Sequence, residues 1–116
     1  MTNLRLTRSE AIAEITRRLA DVCAPIRIYL FGSVARGDDS ADSDLDFLVV
    51  VPDDAPDEIF RSGKAVRALW GIPYGADVIP WRQSDFEGRA AHVVASLPAT
   101  VVREGKIIYD SRPMAA

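Results

Sequence analysis

Apolar residues recur at helical spacing near the start of the chain. Thr7 and Glu10 form a capping-box pattern, and the apolar positions after it are Ile12, Ile15, Leu19 and Val22. This pattern predicts an amphipathic helix from about residue 8 to residue 22, and Pro25 ends it.

Two apolar segments rich in β-branched residues follow and predict strands. The first covers residues 26–31 and stops at Gly32. The second covers residues 45–51, and its nearly continuous apolar character is typical of a strand that is buried on both faces. A polar stretch from Gly32 to Asp44 separates the two strands.

The second half of the chain repeats this alternation of helix and strand. A helix is predicted through Ile59, Val66, Leu69 and Trp70, with Gly71 as its stop. A short third strand is predicted at residues 76–79. A second capping-box pattern at residues 84–87 predicts a helix that runs toward Leu97 and ends at Pro98.

The C-terminal pattern completes the expected fold. Residues 101–109 predict two β segments around a Glu-Gly turn. The predicted order of elements is therefore α-β-β-α-β-α-β, which indicates a compact α/β (α+β) fold with a small mixed β-sheet flanked by helices.

Length and composition narrow the class of protein. The chain has 116 residues and a net charge of −3, and we expect one domain over residues 1–116 with its core at about 8–109. The single Cys23 supplies no intramolecular disulfide, and no apolar run has the length of a signal peptide or a membrane span, so a cytoplasmic setting is expected. Because the chain is acidic and has no basic tract, we do not expect it to bind a nucleic acid.

The residues with the most distinctive chemistry lie between Gly32 and Asp46. A phosphate-binding P-loop is excluded, because Asp38 and Asp39 stand where that motif needs Lys and Ser or Thr. A calcium-binding EF-hand loop is excluded as well, because Phe47 stands where that loop needs Gly.

With these two motifs excluded, the remaining candidate site is a pair of carboxylates next to a Gly-Ser turn. Asp44 and Asp46 are two residues apart at the start of a strand, so their side chains share a face and make a hard-oxygen site that suits Mg²⁺. Gly32 permits a tight backbone turn near a ligand, Ser33 offers a hydroxyl and an amide to a phosphate if a short helix begins there, and Arg36 adds a guanidinium.

These residues resemble the signature of the DNA polymerase β-type nucleotidyltransferase superfamily. Gly32-Ser33, Ala35-Arg36-Gly37, Ser43 and Asp44-x-Asp46 carry the resemblance. More narrowly, the chain is similar to the small minimal nucleotidyltransferases (MNT proteins) that are often found beside HEPN-domain toxins.

The resemblance implies a compact nucleotidyltransferase-type fold and a third carboxylate, Asp77, as metal ligand or proton acceptor. It implies a magnesium-dependent enzyme with one or two ions that transfers an NMP, AMP from ATP, to a hydroxyl. Gly32, Ser33 and Arg36 would bind the phosphates. For an MNT-like antitoxin the acceptor would be a tyrosine of a HEPN-type toxin.

Two other functions stay open at this point. One is a non-catalytic antitoxin module that neutralises its partner by binding alone. The other is a nucleotidyltransferase that acts on a small molecule such as an antibiotic, which would need an acceptor pocket that this short chain builds only by assembling with another copy. Among the remaining residues, Trp70 and Trp81 are expected as core or boundary anchors and His92 as a surface residue.

Overall fold

The computed structural model describes residues 6–37, 43–61 and 63–111. In chain order the elements are α1 (Arg8–Cys23), β1 (Arg27–Phe31), α2 (Gly32–Arg36), β2 (Leu45–Val51), α3 (Glu58–Arg61), α4 (Lys64–Arg67), β3 (Ala76–Arg82), α5 (Gln83–His92), α6 (Leu97–Glu104) and β4 (Lys106–Asp110). The predicted α/β class with helices around a small mixed sheet is confirmed.

The sheet has four strands in the order β3-β2-β1-β4. Strand β1 is antiparallel to both β2 and β4, whereas β2 and β3 run parallel. Strands β1 and β2 are therefore the central ones, and every residue of β2 except Asp46 is buried. The prediction that β2 is buried on both faces is confirmed.

Residues of β2 alternate between two hydrophobic clusters. Phe47, Val49 and Val51 belong to the larger cluster, which is completed by α1 and α4. Leu48 and Val50 belong to the smaller one, together with residues of α5 and α6 such as Phe86. Because side chains alternate along a strand, Asp46 lies on the same face as Leu48 and Val50.

Helix α1 forms as its pattern predicts. Thr7 Oγ1 accepts a hydrogen bond from the Glu10 amide at 3.1 Å, and Glu10 Oε1 accepts one from the Thr7 amide at 2.8 Å, which completes the capping box. The helix ends at Cys23, whose side chain is buried, and Ala24 takes a left-handed conformation with φ 46° just before Pro25.

The single continuous helix predicted through Ile59 and Trp70 is wrong. Two short helices stand in its place, and Gly63 precedes the second of them with φ +69°. Left-handed backbone cannot continue an α-helix, so the chain turns at this glycine. Trp70 is 65% exposed, contrary to the expectation of a core or boundary anchor, whereas Trp81 packs against the smaller cluster.

The C-terminal third also departs from the sequence-based prediction. Helix α5 follows Arg82 without a side-chain cap and ends at His92, so residues 84–87 do not form a capping box. Pro98 does not end a helix but lies in the first turn of α6, which Ser96 caps by accepting from the Ala99 amide at 3.2 Å. Proline is tolerated there because amides of the first turn have no partner within the helix.

Residues 101–104 continue α6 as a helix, so the predicted β segment before the Glu-Gly turn is wrong. Only the segment after the turn, β4, is a strand. In the part of the chain that the structure describes, no helix combines the length and the apolar character needed to cross a membrane.

Candidate active site

The parallel pairing of β2 and β3 brings two acidic residues together. Asp46 and Asp77 are register partners, and the Leu45 amide donates to the Gly75 carbonyl oxygen at 2.9 Å just before them. Paired residues of adjacent strands point to the same face of a sheet, so the two carboxylates lie side by side. Asp44 precedes β2 and its carboxylate lies against Gly75, which places a third carboxylate at the same corner.

Two glycines make room for these carboxylates. A Cβ atom on Gly32 would overlap Asp46 Oδ2, and Gly32 also has φ +80°, which a larger residue adopts only with strain. A Cβ atom on Gly75 would overlap Asp44 Oδ1. The Gly-Ser motif indicates Gly32, whereas no motif indicates Gly75, whose sequence signal is its position directly before a strand.

The carboxylates affect one another electrostatically. Burial is the largest cause that raises the pKa of Asp46, and the charges of Asp77 and Asp44 and a hydrogen bond with Asp77 raise that pKa further. The charge of Arg36 acts in the opposite direction and lowers it. Asp46 is half-buried, while Asp44 and Asp77 are exposed, so the cluster opens to solvent on one side.

The donor chemistry of this cluster fits Mg²⁺. Across residues 6–37, 43–61 and 63–111, no group of three or more His, Cys, Asp or Glu side chains is placed to hold a metal ion by itself. Magnesium seldom requires such a cage, because it is usually bound through one or two carboxylates together with substrate phosphates and water. Asp46 with either neighbour supplies that number of hard oxygen ligands.

The Gly-Ser turn lies next to the carboxylates. Phe31, the last residue of β1, is the register partner of Asp46, and α2 begins at the following residue, Gly32. Ser33 is therefore in the first turn of the short helix that the sequence analysis required. Arg36 ends that helix, and its Nη1 lies 3.6 Å from Glu104 Oε1.

The structure thus gathers Asp44, Asp46 and Asp77 at one corner of the sheet, with Gly32 against Asp46 and Arg36 near enough to act on its charge. Ser33 is placed there by its position in the chain. The sequence predicts that Asp38, Asp39 and Asp42 form turns and add solubilising charge, and these three residues lie outside the described residues. His92 is exposed, as expected.

A cavity of about 370 Å³ lies elsewhere on the molecule. Its walls include Tyr29, Val50 and Phe86, and none of the predicted site residues lines it. Asp46 stands at the start of β2 and Val50 near its end, so this cavity and the carboxylates occupy opposite ends of the sheet. At the carboxylate corner, Asp44 and Asp77 are exposed to solvent.

An open corner with clustered carboxylates on a small mixed sheet is an arrangement suited to a nucleotide and its metal ion. The sequence model of the family described as "Nucleotidyltransferase domain" matches residues 9–107. The chain belongs to this family and is a nucleotidyltransferase, which confirms the family resemblance.

Two solved structures are similar to this chain. One is a toxin-antitoxin with AMP-PNP, 25% identical in sequence, with a TM-score of 0.61 over 86% of this chain and 73% of that one. The other is a candidate nucleotidyltransferase from Sulfolobus solfataricus, 22% identical, with a TM-score of 0.57 over 87% of this chain and 78% of that one, and it supports the fold alone. No curated protein matches the chain.

Proposed function

We propose that this chain transfers AMP from ATP to a hydroxyl group of a partner protein in a magnesium-dependent reaction. The observation that carries the proposal is the register pairing of Asp46 with Asp77, with Asp44 beside them, at the point where β1 passes into α2. This arrangement supports a site in which the three carboxylates act together on one triphosphate.

Asp44, Asp46 and Asp77 would hold the metal, one or two ions, with the nucleotide phosphates as the remaining ligands. When bound, the metal would neutralise phosphate charge and stabilise the negative charge on both the attacking and the leaving oxygen. Asp46 is the central ligand of the three, because its side chain lies against Gly32 on one side and faces Asp77 on the other.

The chemistry needs a proton acceptor as well as metal ligands. The acceptor hydroxyl oxygen forms a bond to the α-phosphorus, the bond from that phosphorus to the pyrophosphate oxygen breaks, and pyrophosphate leaves with its electron pair. Asp77 either completes the metal site or takes the hydroxyl proton, and its exposure leaves it accessible to an incoming acceptor.

Gly32, Ser33 and Arg36 would bind the β- and γ-phosphates. Gly32 lets the backbone approach closely because it has no side chain, Ser33 offers its hydroxyl and amide, and Arg36 offers a planar fork of N–H donors. The position of Arg36 at the end of α2, close enough to lower the pKa of Asp46, supports this role.

The partner is proposed from the similar toxin-antitoxin structure and from the MNT resemblance. That structure contains AMP-PNP, which supports ATP as the nucleotide substrate here. We propose that this chain is an antitoxin that modifies a tyrosine hydroxyl of a HEPN-type toxin. The open carboxylate corner supports a macromolecular acceptor, because such an acceptor brings its own surface to the site.

The test is transfer of label from α-³²P-ATP in the presence of Mg²⁺ and either a cell lysate or the product of the neighbouring gene, which the proposal expects to be a HEPN-type toxin. A labelled toxin band is expected with the wild-type chain and is expected to disappear in the double variant Asp44→Asn/Asp46→Asn. The matched control is Asp21→Asn/Asp54→Asn, which removes two exposed carboxylates away from the site and should label the toxin as the wild type does.

Other outcomes would identify the two alternative functions. Full neutralisation of the toxin by the Asp44→Asn/Asp46→Asn variant, without label in any sample, would reject catalysis and indicate a binding-only antitoxin. Label on free small hydroxyl compounds, and none on protein, would reject the protein acceptor and indicate a small-molecule nucleotidyltransferase.

A further inference from the structure

The C-terminal end of α6 packs closely against β1, near the start of α2. Gly105 follows the helix, and its amide donates to the Val101 carbonyl oxygen at 2.7 Å. A Cβ atom on Gly105 would lie 2.7 Å from that oxygen and 3.1 Å from the carbonyl oxygen of Leu30 in β1. This close approach fixes the backbone of the preceding residue, Glu104, beside the strand that leads into α2.

Glu104 directs its carboxylate at the last residue of α2. Its Oε1 lies 3.6 Å from Arg36 Nη1, and the two side chains are 44% and 45% exposed. Arg36 in turn is close enough to Asp46 to lower the pKa of that carboxyl. Charges of alternating sign therefore run from Glu104 through Arg36 to the carboxylate cluster.

An arginine at a phosphate site benefits from being held in place. A flexible side chain that is ordered only when the ligand arrives loses conformational entropy at that moment, which weakens binding. A guanidinium has five N–H donors, so a contact with Glu104 occupies only part of the donor set of Arg36.

We propose that Glu104 is a positioning residue that orients Arg36 for the phosphates of the nucleotide. The inference rests on the proposed function, in which Arg36 binds phosphate. It adds a residue from α6 to the site, and neither the Gly-Ser motif nor the Asp-x-Asp motif of the sequence indicates it.

The test is the dissociation constant for AMP-PNP with Mg²⁺, measured by titration calorimetry for the wild type, Glu104→Gln, Arg36→Gln and the double variant. Glu104→Gln should weaken binding about two- to five-fold, because half-exposed ion pairs contribute modestly. Arg36→Gln should weaken it about tenfold or more, because the charge-assisted bonds themselves are lost. In the Arg36→Gln background, Glu104→Gln should have no further effect, since its role passes through Arg36.

Two controls separate positioning from general stability. Glu104→Asp keeps the charge and should recover part of the lost affinity, whereas Glu87→Gln removes an exposed carboxylate on α5 and should bind as the wild type does. The thermal midpoints of Glu104→Gln and the wild type should agree within a few degrees. In the assay of label transfer from α-³²P-ATP, Glu104→Gln should raise KM for ATP and leave kcat unchanged.

The failures of the two proposals are distinguishable. If Arg36→Gln weakens binding and Glu104→Gln does not, or if the two effects add in full, the positioning role is wrong and the phosphate role of Arg36 stands. If the wild type does not bind AMP-PNP, or Arg36→Gln binds equally well, the phosphate role fails and the role of Glu104 is rejected with it.

Discussion

Asp46 and Asp77 face each other across the parallel pair of β2 and β3, although thirty residues of other structure separate them in the chain. Asp44 and Asp46 are close together in sequence, whereas Asp77 comes from a distant strand. The pairing brings this third carboxylate to the other two and completes the candidate metal site. Burial and, after it, the charge of Asp77 raise the pKa of Asp46, so a cation would stabilise the cluster.

Replacing Asp77 by Asn should abolish transfer and leave the fold intact. We expect the rate of label transfer to fall at least about 100-fold, because a charged group at the reacting phosphate is lost. The thermal midpoint should not fall, since the substitution removes a like charge that faces Asp46. The measurement pairs the labelling assay with thermal unfolding. Transfer at the wild-type rate would contradict the role of Asp77.

Gly75→Ala should reduce activity through Asp44. The added methyl group would overlap Asp44 Oδ1 and push that carboxylate out of the cluster, so we expect about a tenfold or greater loss of transfer rate. The measurement is kcat/KM for ATP in the labelling assay.

Gly88→Ala is the matched control for that substitution. Gly88 lies inside α5, nothing stands within 4 Å of an added Cβ atom, and its φ is not positive. The variant should keep full activity and gain about 0.5–1 kcal/mol in the free energy of unfolding, because Ala favours helix more than Gly does. An equal loss of activity in both variants would show that the Gly75 effect is not due to Asp44.

Arg82, the last residue of β3, hydrogen-bonds to the loop that follows β2. Arg82→Ala should therefore destabilise the protein. Its Nη1 donates to the carbonyl oxygens of Asp53 at 2.9 Å and Ala55 at 2.8 Å, and Nη2 pairs with Asp57 Oδ1 at 2.5 Å. We expect the free energy of unfolding, measured in urea, to fall by about 1–3 kcal/mol, because two backbone carbonyls lose a charged donor.

The control for Arg82 is Arg89→Ala on the exposed side of α5, which should change the free energy of unfolding by no more than about 0.5 kcal/mol. Similar losses in the two variants would mean that the contacts of Arg82 contribute nothing beyond those of an ordinary surface arginine.

Glu14 should make stability depend on pH in the acid range. Hydrogen bonds from Arg17 and Arg18 lower the pKa of Glu14 to about 2, compared with about 4.3 in an unfolded chain. Because the pKa of Glu14 is lower in the folded protein than in the unfolded chain, Glu14 contributes its full stabilisation above about pH 4.3. This contribution is lost as the pH falls toward 2. The side chain is 26% exposed, so solvent screening keeps the contribution below about 1 kcal/mol.

Urea unfolding at pH 7, 4 and 2.5 for the wild type and Glu14→Gln measures this contribution. The variant should be less stable at pH 7 and should lose less stability on acidification. Parallel curves for the two proteins would show that the hydrogen bonds of Glu14 do not contribute to folding. Arg18 also donates to the carbonyl oxygens of Ala68 and Trp70, so the variant should loosen that turn as well.

Local pattern was sufficient for much of this protein. The capping box of α1, the buried strand β2 and the Gly-Ser and Asp-x-Asp motifs are determined by residues close together in sequence, because helix caps, strand alternation and tight turns depend on near neighbours. The same residues were enough to indicate the family. The helix ends around Gly63 and Pro98 were misread, since glycine and proline are compatible with either the start or the end of a helix.

Tertiary structure decided which residues meet. Whether Asp77 lies beside Asp46 depends on the parallel register of β2 and β3, and a shift of one residue would send that carboxylate to the opposite face. The need for glycine at position 75 and the approach of Glu104 to Arg36 likewise come from elements that are far apart in the chain. The sequence by itself determined α1, the strands β1 and β2 and the chemistry of the motifs. Packing across the sheet determined the site, because contacts between distant segments leave no periodic signal in the chain.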